Sequence, residues 1–341
     1  MINGIKVSVI IPIYNVEKYI RKALESVVNQ TLKEIEIICV NDCTPDNSMQ
    51  IVEEFAKVDE RFVIINQETN QGQGVARNCA LGVAHGEYIM FLDPDDWFEL
   101  DACERAYNQI SKNQNEMVFF NLYSWKERKG KLGKRILNTT RLKPFEEVKD
   151  NPHVNLRELN TNWIVASWTV MQIYKKVFLN KYNIRYSEDR FTEDIPFFIK
   201  ACIYSTDISI LDEPLYNYRK KVGDTVINYF EHAESIFAAK KKAREIIFES
   251  GLKDIFWKNY ILYEIGSDTL HFKNFTKANK KIRKEFFTRI KAKFEEISQE
   301  FSKDFLKQSI SYRDFNLILE CKSYEEYRIK RLIRKVFEHR A

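Results

Sequence analysis

The chain has 341 residues, of which 44% are hydrophobic and 30% charged, and a net charge of +5. This is the balance of a globular protein with a full core, large enough for one domain with an appendage or for two. No 18-residue apolar run is present, the six cysteines form no C-x-x-C pair and the five histidines form no ligand grouping, which argues against a transmembrane helix, a disulfide framework and a zinc site.

Met1–Lys6 carries no signal-peptide pattern and leads straight into a strand, so a cytoplasmic protein is expected. Val7–Ile13 is an apolar, β-branched run suited to a buried parallel strand. From Glu17 onward, Ile20, Ala23, Leu24, Val27 and Val28 recur at helical spacing. Ile35–Val40 reads as the next strand, followed by a polar turn with Pro45 and a helix through Ile51, Val52 and Phe55. Phe62–Ile65 is a third strand, and a glycine-containing loop leads to a helix near Val75–Val83. Tyr88–Leu92 is a fourth strand, and a helix near Ala102–Ile110 leads to Met117–Phe120. This alternation predicts a doubly wound, mostly parallel α/β sheet, whose ligands bind beyond the carboxyl ends of the strands. Residues 125–160 read as a long charged loop. The first domain is expected over 1–228, with a nucleotide half at about 1–121 and a second half at about 160–228; residues 229–341 read as an α-helical C-terminal region.

Polar groups collect at the predicted strand ends. Phe91-Leu92-Asp93-Pro94-Asp95-Asp96 puts three carboxylates in four positions after an apolar run. Clustered carboxylates repel unless they share a cation, and hard oxygen ligands suit Mg²⁺ or Mn²⁺ together with a substrate's phosphates. The same residues also suit the first turn of a helix. Pro12, Tyr14 and Asn15 end the first strand, where a ring and an amide could hold a planar base or simply form a turn. Asp42, ending the second, could accept a pyrimidine N–H, and Asp46 or Ser48 could cap the helix that follows. Asn70–Asn78 brings two glycines and Arg77 to a helix start, giving a pyrophosphate or base contact or else a surface ion pair. Glu193 and Asp194, between apolar runs, form a carboxylate pair fit for a partly desolvated proton acceptor and also for a helix's first turn.

In this order, Val9–Asn15, Asn41–Asp46, Asn70–Asn78, Phe91–Trp97 and Glu193-Asp194 resemble the inverting family-2 glycosyltransferases with the GT-A fold, over roughly residues 5–225. The resemblance implies a UDP-sugar donor, Mn²⁺ or Mg²⁺, and transfer of a hexose or N-acetylhexosamine with inversion to a hydroxyl of a glycan acceptor: a lipooligosaccharide, a capsule or a lipid-linked oligosaccharide. Carried over by position, Pro12, Tyr14, Asn15 and Asp42 line the uridine pocket, and Arg77 contacts base or diphosphate. Asp93 approaches the ribose and, with Asp95 of the Asp-x-Asp pattern, the metal; Asp96 supports them from behind. Asp194 is the general base with Glu193 beside it. Tyr218-Arg219 and Gly223-Asp224-Thr225 resemble a segment that folds over the phosphates. Asn41 departs from the family, which often has an acid there.

The reaction so implied is a single displacement, with Asp194 taking the acceptor's proton. Trp163, Trp168 and Tyr174 are candidates for stacking on the acceptor sugar, and equally for core packing. A nucleotidyltransferase would use the same acids but leave Glu193-Asp194 without a task; a nucleotide-sugar-binding protein would bind without turnover. No nucleic-acid motif is present. Residues 1–229 hold 29 Lys and Arg against 32 Asp and Glu, whereas 230–341 hold 25 against 17, so the positive excess lies in the C-terminal third. There, residues 322–337 set Tyr324, Tyr327, Leu332, Ile333, Val336 and Phe337 beside Arg328, Lys330, Arg331, Arg334 and Lys335. The pattern fits an interfacial helix on an anionic membrane, at the inner face of the cytoplasmic membrane for such an enzyme. It fits as well a helix packed on its own domain or on a partner subunit, a second copy included.

Overall fold

The computed structural model describes residues 4–128, 131–138, 142–159, 168–221, 229–274 and 278–338. The alternation runs through β1 (Val7–Ile13), α1 (Glu17–Val28), β2 (Ile35–Asn41), α2 (Ser48–Ala56), β3 (Phe62–Asn66), α3 (Gln73–Val83) and β4 (Tyr88–Phe91). β1 and β4 are buried at every position, as nearly continuous apolar runs require of strands covered on both faces. α1 buries Ile20, Ala23, Leu24 and Val27, the stripe its spacing defines. The strands lie in the order β3-β2-β1-β4, all parallel, with Val7 opposite both Ile35 and Tyr88. Parallel pairing therefore brings the carboxyl ends of β1, β2 and β4 to one edge.

Beyond β4 the sheet is mixed. β8 (Gln172–Lys175) lies antiparallel between β4 and β6 (Met117–Arg128); β9 (Ile208–Lys221) runs parallel to β6, and β5 (Trp97–Phe98) antiparallel to β9. Met117–Phe120 is thus not the neighbour of β4, because a strand from much later in the chain takes that place. The loop expected over 125–160 is also corrected. β6 continues to Arg128 and returns as β7 (Lys131–Asn138), an antiparallel hairpin. β7 is exposed at most positions, so its charges face water and no apolar alternation marks it as a strand. Arg135 steadies it by bonding Glu99 at 3.0 Å and covering the Tyr123 ring. α4 (Ala102–Asn113), α5 (Lys176–Lys181) and α6 (Asp194–Tyr204) complete this part of the fold. Under the carboxyl edge, Phe91 meets Tyr174, Tyr186 and Phe197 edge-on at 6.0, 5.2 and 5.7 Å.

Packing divides the chain into two units, Met1–Val226 with Ser235–Leu252, and Ile227–Glu234 with Lys253–Ala341. The boundary expected at 228 falls at the start of α7 (Tyr229–Glu249), most of which clusters with the sheet. The second unit is helical, built from α8 (Lys253–Asn274), α9 (Lys280–Glu300), α10 (Lys303–Leu306), α11 (Tyr312–Glu320) and α12 (Tyr324–Glu338). Phe272, Phe286, Phe287, Tyr324 and Tyr327 form its aromatic core. The buried acids Glu264 and Asp268 are matched by Lys293 at 3.3 and 2.9 Å. The apolar stripe expected on α12 is divided. Tyr324 and Tyr327 are buried in the unit's core, while Ile329, Leu332 and Ile333 are 59%, 61% and 50% exposed; the side chains of Val336 and Phe337 lie outside the described residues. Among the described residues, no helix is long and apolar enough to cross a membrane.

Candidate active site

The carboxyl ends of β1, β2 and β4 bound a cleft of about 460 Å³. Asp42 N–H donates to Ile13 O at 3.0 Å, which keeps the first two strand ends in step. Both chains then turn sharply. Asn15 and Cys43 have left-handed φ values of 53° and 55°, a conformation that asparagine tolerates. Asn15 N–H donates to Thr44 Oγ1, and Asn41 Oδ1 accepts from Thr44 N–H. Asn15 and Asn41 thus build the turns that shape the mouth. Asp46 accepts from Glu17 N–H at the head of α1 and from Ser48 Oγ, which is capping chemistry.

Pro12 and Tyr14 line the cleft, Tyr14 being half exposed. Asp42 lines it too, but is only 2% exposed and uses both oxygens on the next turn: Oδ1 accepts from Gln71 N–H at 2.7 Å and Oδ2 from Gly72 N–H at 2.9 Å. These two bonds hold the 70–72 turn against the end of β2. Gly72 needs its φ of 94°, which side-chain-bearing residues avoid.

Arg77 does not form the surface ion pair that was one expectation for it. It is 3% exposed, and its guanidinium bridges Asp93 and Glu193, each at 2.7 Å, with the Tyr186 ring 4.9 Å away. Burial works against its charge, but Tyr186, Asp93 and Glu193 outweigh burial and raise its pKa above the ordinary value. α3 sets the arginine between Asp93, on the turn after β4, and Glu193, at the head of α6, and a buried charge must be paired. Burial pushes Glu193 upward against the pull of Arg77. For Asp194, half-buried at the first turn of α6, burial and then the neighbouring Glu193 push the carboxyl up to about 7. A carboxylate so tuned is a competent proton acceptor near neutral pH.

Asp96 is buried, accepting from Tyr216 OH at 2.8 Å and from Arg219 N–H at 2.6 Å. Burial, then the charges of Asp95 and Asp93, raise its carboxyl well above the usual range. It braces the 93–96 turn from beneath. Arg219, expected over the phosphates, is instead buried in bracing contacts: Nε donates to Asp95 O at 2.7 Å and Nη1 to Glu127 Oε2 at 3.0 Å, and the group lies by the Tyr19 and Trp97 rings. Glu127 lies on the β6 hairpin strand, within the stretch where the sequence predicts a loop.

Asp93 and Asp95 line the same cleft. No group of three or more His, Cys, Asp or Glu side chains able to hold a metal ion occurs among the described residues. Two hard oxygen donors beside an open cleft fit an ion such as Mg²⁺ or Mn²⁺, which binds through one or two carboxylates and completes its shell with waters and substrate phosphates.

Tyr174 is wholly buried, its hydroxyl donating to Gln172 Oε1 at 2.9 Å, and so belongs to the core and not to an acceptor surface. Trp168 lies 4.8 Å from the Tyr218 ring. Trp163 and Gly223-Asp224-Thr225 lie outside the described residues. Arg190 and Phe191 line the cleft and were missed, although their place just before Glu193-Asp194 was a signal.

The parallel strands and the cleft at their carboxyl ends define a doubly wound α/β architecture, and residues 8–179 match the family model for glycosyl transferase family 2. The chain belongs to that family. It is 35% identical to glycosyltransferase GlyA of Streptococcus pneumoniae over 64% of this chain and 31% of GlyA. It is 34% identical to the glycosyltransferase EpsJ of Bacillus subtilis over 69% of this chain and 68% of EpsJ. The chain thus spans about a third of the first relative and about two thirds of the second. The crystal structure of Staphylococcus aureus TarS 1-349 in complex with UDP-GlcNAc superimposes with a TM-score of 0.72 over 95% of this chain and 89% of that one, at 24% identity, a likeness of fold.

Proposed function

We propose that this chain is an inverting, metal-assisted glycosyltransferase that moves a hexose or N-acetylhexosamine from a UDP-sugar to a hydroxyl of a glycan acceptor. The observation that carries the reading is a cleft walled by Asp42, Asp93 and Asp95, in which Arg77 ties Asp93 to Glu193, the chain neighbour of Asp194. The complex of TarS with UDP-GlcNAc supports the donor class. A relative from Bacillus spizizenii, 31% identical over 73% of this chain, is a poly(ribitol-phosphate) β-glucosyltransferase, which supports a polymeric, hydroxyl-bearing acceptor.

Pro12 and Tyr14 flank the nucleoside, and the turn clamped by Asp42 forms the opposite wall. Asp95 and Asp93 would hold Mn²⁺ or Mg²⁺, which supplies positive charge for the departing diphosphate. Asp194 takes the proton from the acceptor hydroxyl as its oxygen attacks the anomeric carbon and the bond to the diphosphate breaks. One displacement inverts that carbon. Arg77 pairs with Glu193 and Asp93 and fixes both carboxylates, and Asp194 is the one that takes the proton. The enzyme is placed in the cytoplasm, with α12 against the anionic inner face of the membrane. The deciding assay incubates the full chain and Mn²⁺ with UDP-glucose, UDP-galactose and their N-acetyl forms. Release of UDP from one donor is expected; release of pyrophosphate from a sugar phosphate and UTP, with no UDP from any donor, overturns the reading.

A further inference from the structure

A nucleoside diphosphate brings negative charge to a cleft whose walls already carry Asp42, Asp93 and Asp95. The two arginines that the sequence offers for its phosphates are both committed. Arg77 is buried between Asp93 and Glu193, and Arg219 is tied to Glu127 and to the backbone of Asp95. Among the described residues lining the cleft, Arg190 is the basic one.

Arg190 is exposed, on a loop anchored at both ends to one segment of the nucleotide half. At its start, the Asn78 side chain bonds both the carbonyl and the N–H of Tyr186 at 2.9 Å. At its end, Arg77 holds Glu193. Between them the Arg190 guanidinium donates to Asn70 Oδ1 at 2.9 Å and to Asn70 O at 3.3 Å, while Asn70 Nδ2 donates to Asp42 O at 3.2 Å. Asn70 is a neutral amide, and a hydrogen bond from a guanidinium to a neutral acceptor is weaker than one to an anion. The same group on a phosphate makes short, charge-assisted bonds in a matching fork geometry.

We propose that Arg190 is a donor-binding residue, whose guanidinium takes a phosphate oxygen of the nucleoside diphosphate in place of the neutral Asn70. The assignment rests on the glycosyltransferase reading above and adds to it a cation for the donor that sequence reasoning did not supply. The loop that captures the phosphate leads four residues on to Asp194, the first residue of α6, so donor charge and general base share one anchored segment.

The test separates phosphate from nucleoside. UDP is titrated into the full chain with Mn²⁺ by calorimetry, and uridine affinity is measured by saturation-transfer NMR, for the wild type, Arg190→Ala and Arg190→Lys. Arg190→Ala is expected to weaken UDP by roughly ten- to a hundredfold and leave uridine unchanged, with Arg190→Lys recovering part of the loss. Equal UDP affinity in the wild type and Arg190→Ala overturns the assignment while leaving the glycosyltransferase reading standing. Equal weakening of UDP and uridine also overturns it, reducing Arg190 to a prop for the Asn70 turn. A wild-type chain that binds neither ligand overturns the donor reading and the assignment together.

Discussion

At the residue scale the proposed chemistry turns on one carboxyl, Asp194, that burial and the neighbouring Glu193 have made weakly acidic. Asp194 holds its proton up to about 7, whereas an aspartate in an unfolded chain ionises near about 4. A general base works only when ionised, so kcat should fall below neutrality with a midpoint near 7, and a kcat–pH profile reads it. Asp194→Asn should lower kcat by about 10²–10⁴ with UDP affinity kept; near wild-type turnover in that variant sinks the base assignment. The same shift acts on stability. Between about 4 and 7 the folded state binds the proton that the unfolded state has lost, so raising the pH through that window destabilises the fold. Asp194→Asn removes this penalty. Its Tm should exceed the wild type's by a few degrees at pH 8, and the gain should vanish near pH 4; a gain that persists there would have another origin. Asp95 carries the complementary prediction. Asp95→Ala should abolish the strengthening of UDP binding by Mn²⁺, measured by calorimetry with and without the ion, and an undiminished Mn²⁺ effect would exclude Asp95 as its ligand.

At the scale of elements, α3 is the template on which the loop leading to Asp194 is set. Gly74, in its first turn, faces that loop so closely that a Cβ would come within 2.5 Å of Ser187 O and 2.9 Å of Glu193 Cγ. Intrinsic propensity favours alanine over glycine in a helix by about 1 kcal/mol, but the backbone oxygen cannot yield as a flexible side chain can. Gly74→Ala should therefore destabilise by about 1–3 kcal/mol in denaturant titration, and should lower kcat more than UDP affinity because Glu193 and Asp194 are displaced together. A variant as stable and active as the wild type would show that the loop is not seated by α3. This dependence also marks what was legible in the sequence. β1, β2 and β4 could be read because buried parallel strands are nearly continuous apolar runs, broken here only by Ser8 and Glu36, which bond each other, and their polar ends follow by register. The partners of Arg77 and Arg219 could not: Glu193 lies 116 positions from Arg77 and Glu127 lies 92 from Arg219. No local pattern encodes such pairs, and each arginine alone looks like a phosphate ligand. β7 stayed hidden for a different reason, its exposed charges erasing the period of two.

At the scale of the whole molecule the unequal charge acquires a place. Within the helical unit, α12 buries Tyr324 and Tyr327 and leaves Ile329, Leu332 and Ile333 outside. These recur at i, i+3 and i+4, so they form one patch. Lys330 is paired with Glu326 at 2.9 Å, while Arg328 is exposed and Arg331 and Arg334 are partly so. An anionic bilayer answers both features, since each cation near such a surface contributes about 1 kcal/mol and each apolar side chain fully inserted about 1.5–3 kcal/mol. Neither alone anchors a protein of this size firmly, so binding should be reversible and weaken with salt. The full chain should sediment with phosphatidylglycerol vesicles at low ionic strength and much less with phosphatidylcholine vesicles. Ile329→Glu with Leu332→Glu should abolish sedimentation while leaving the fold intact, because both positions are already in water. Sedimentation unaltered by that pair, or absent from anionic vesicles at low salt, would remove the membrane from the proposal and leave the patch to a protein surface.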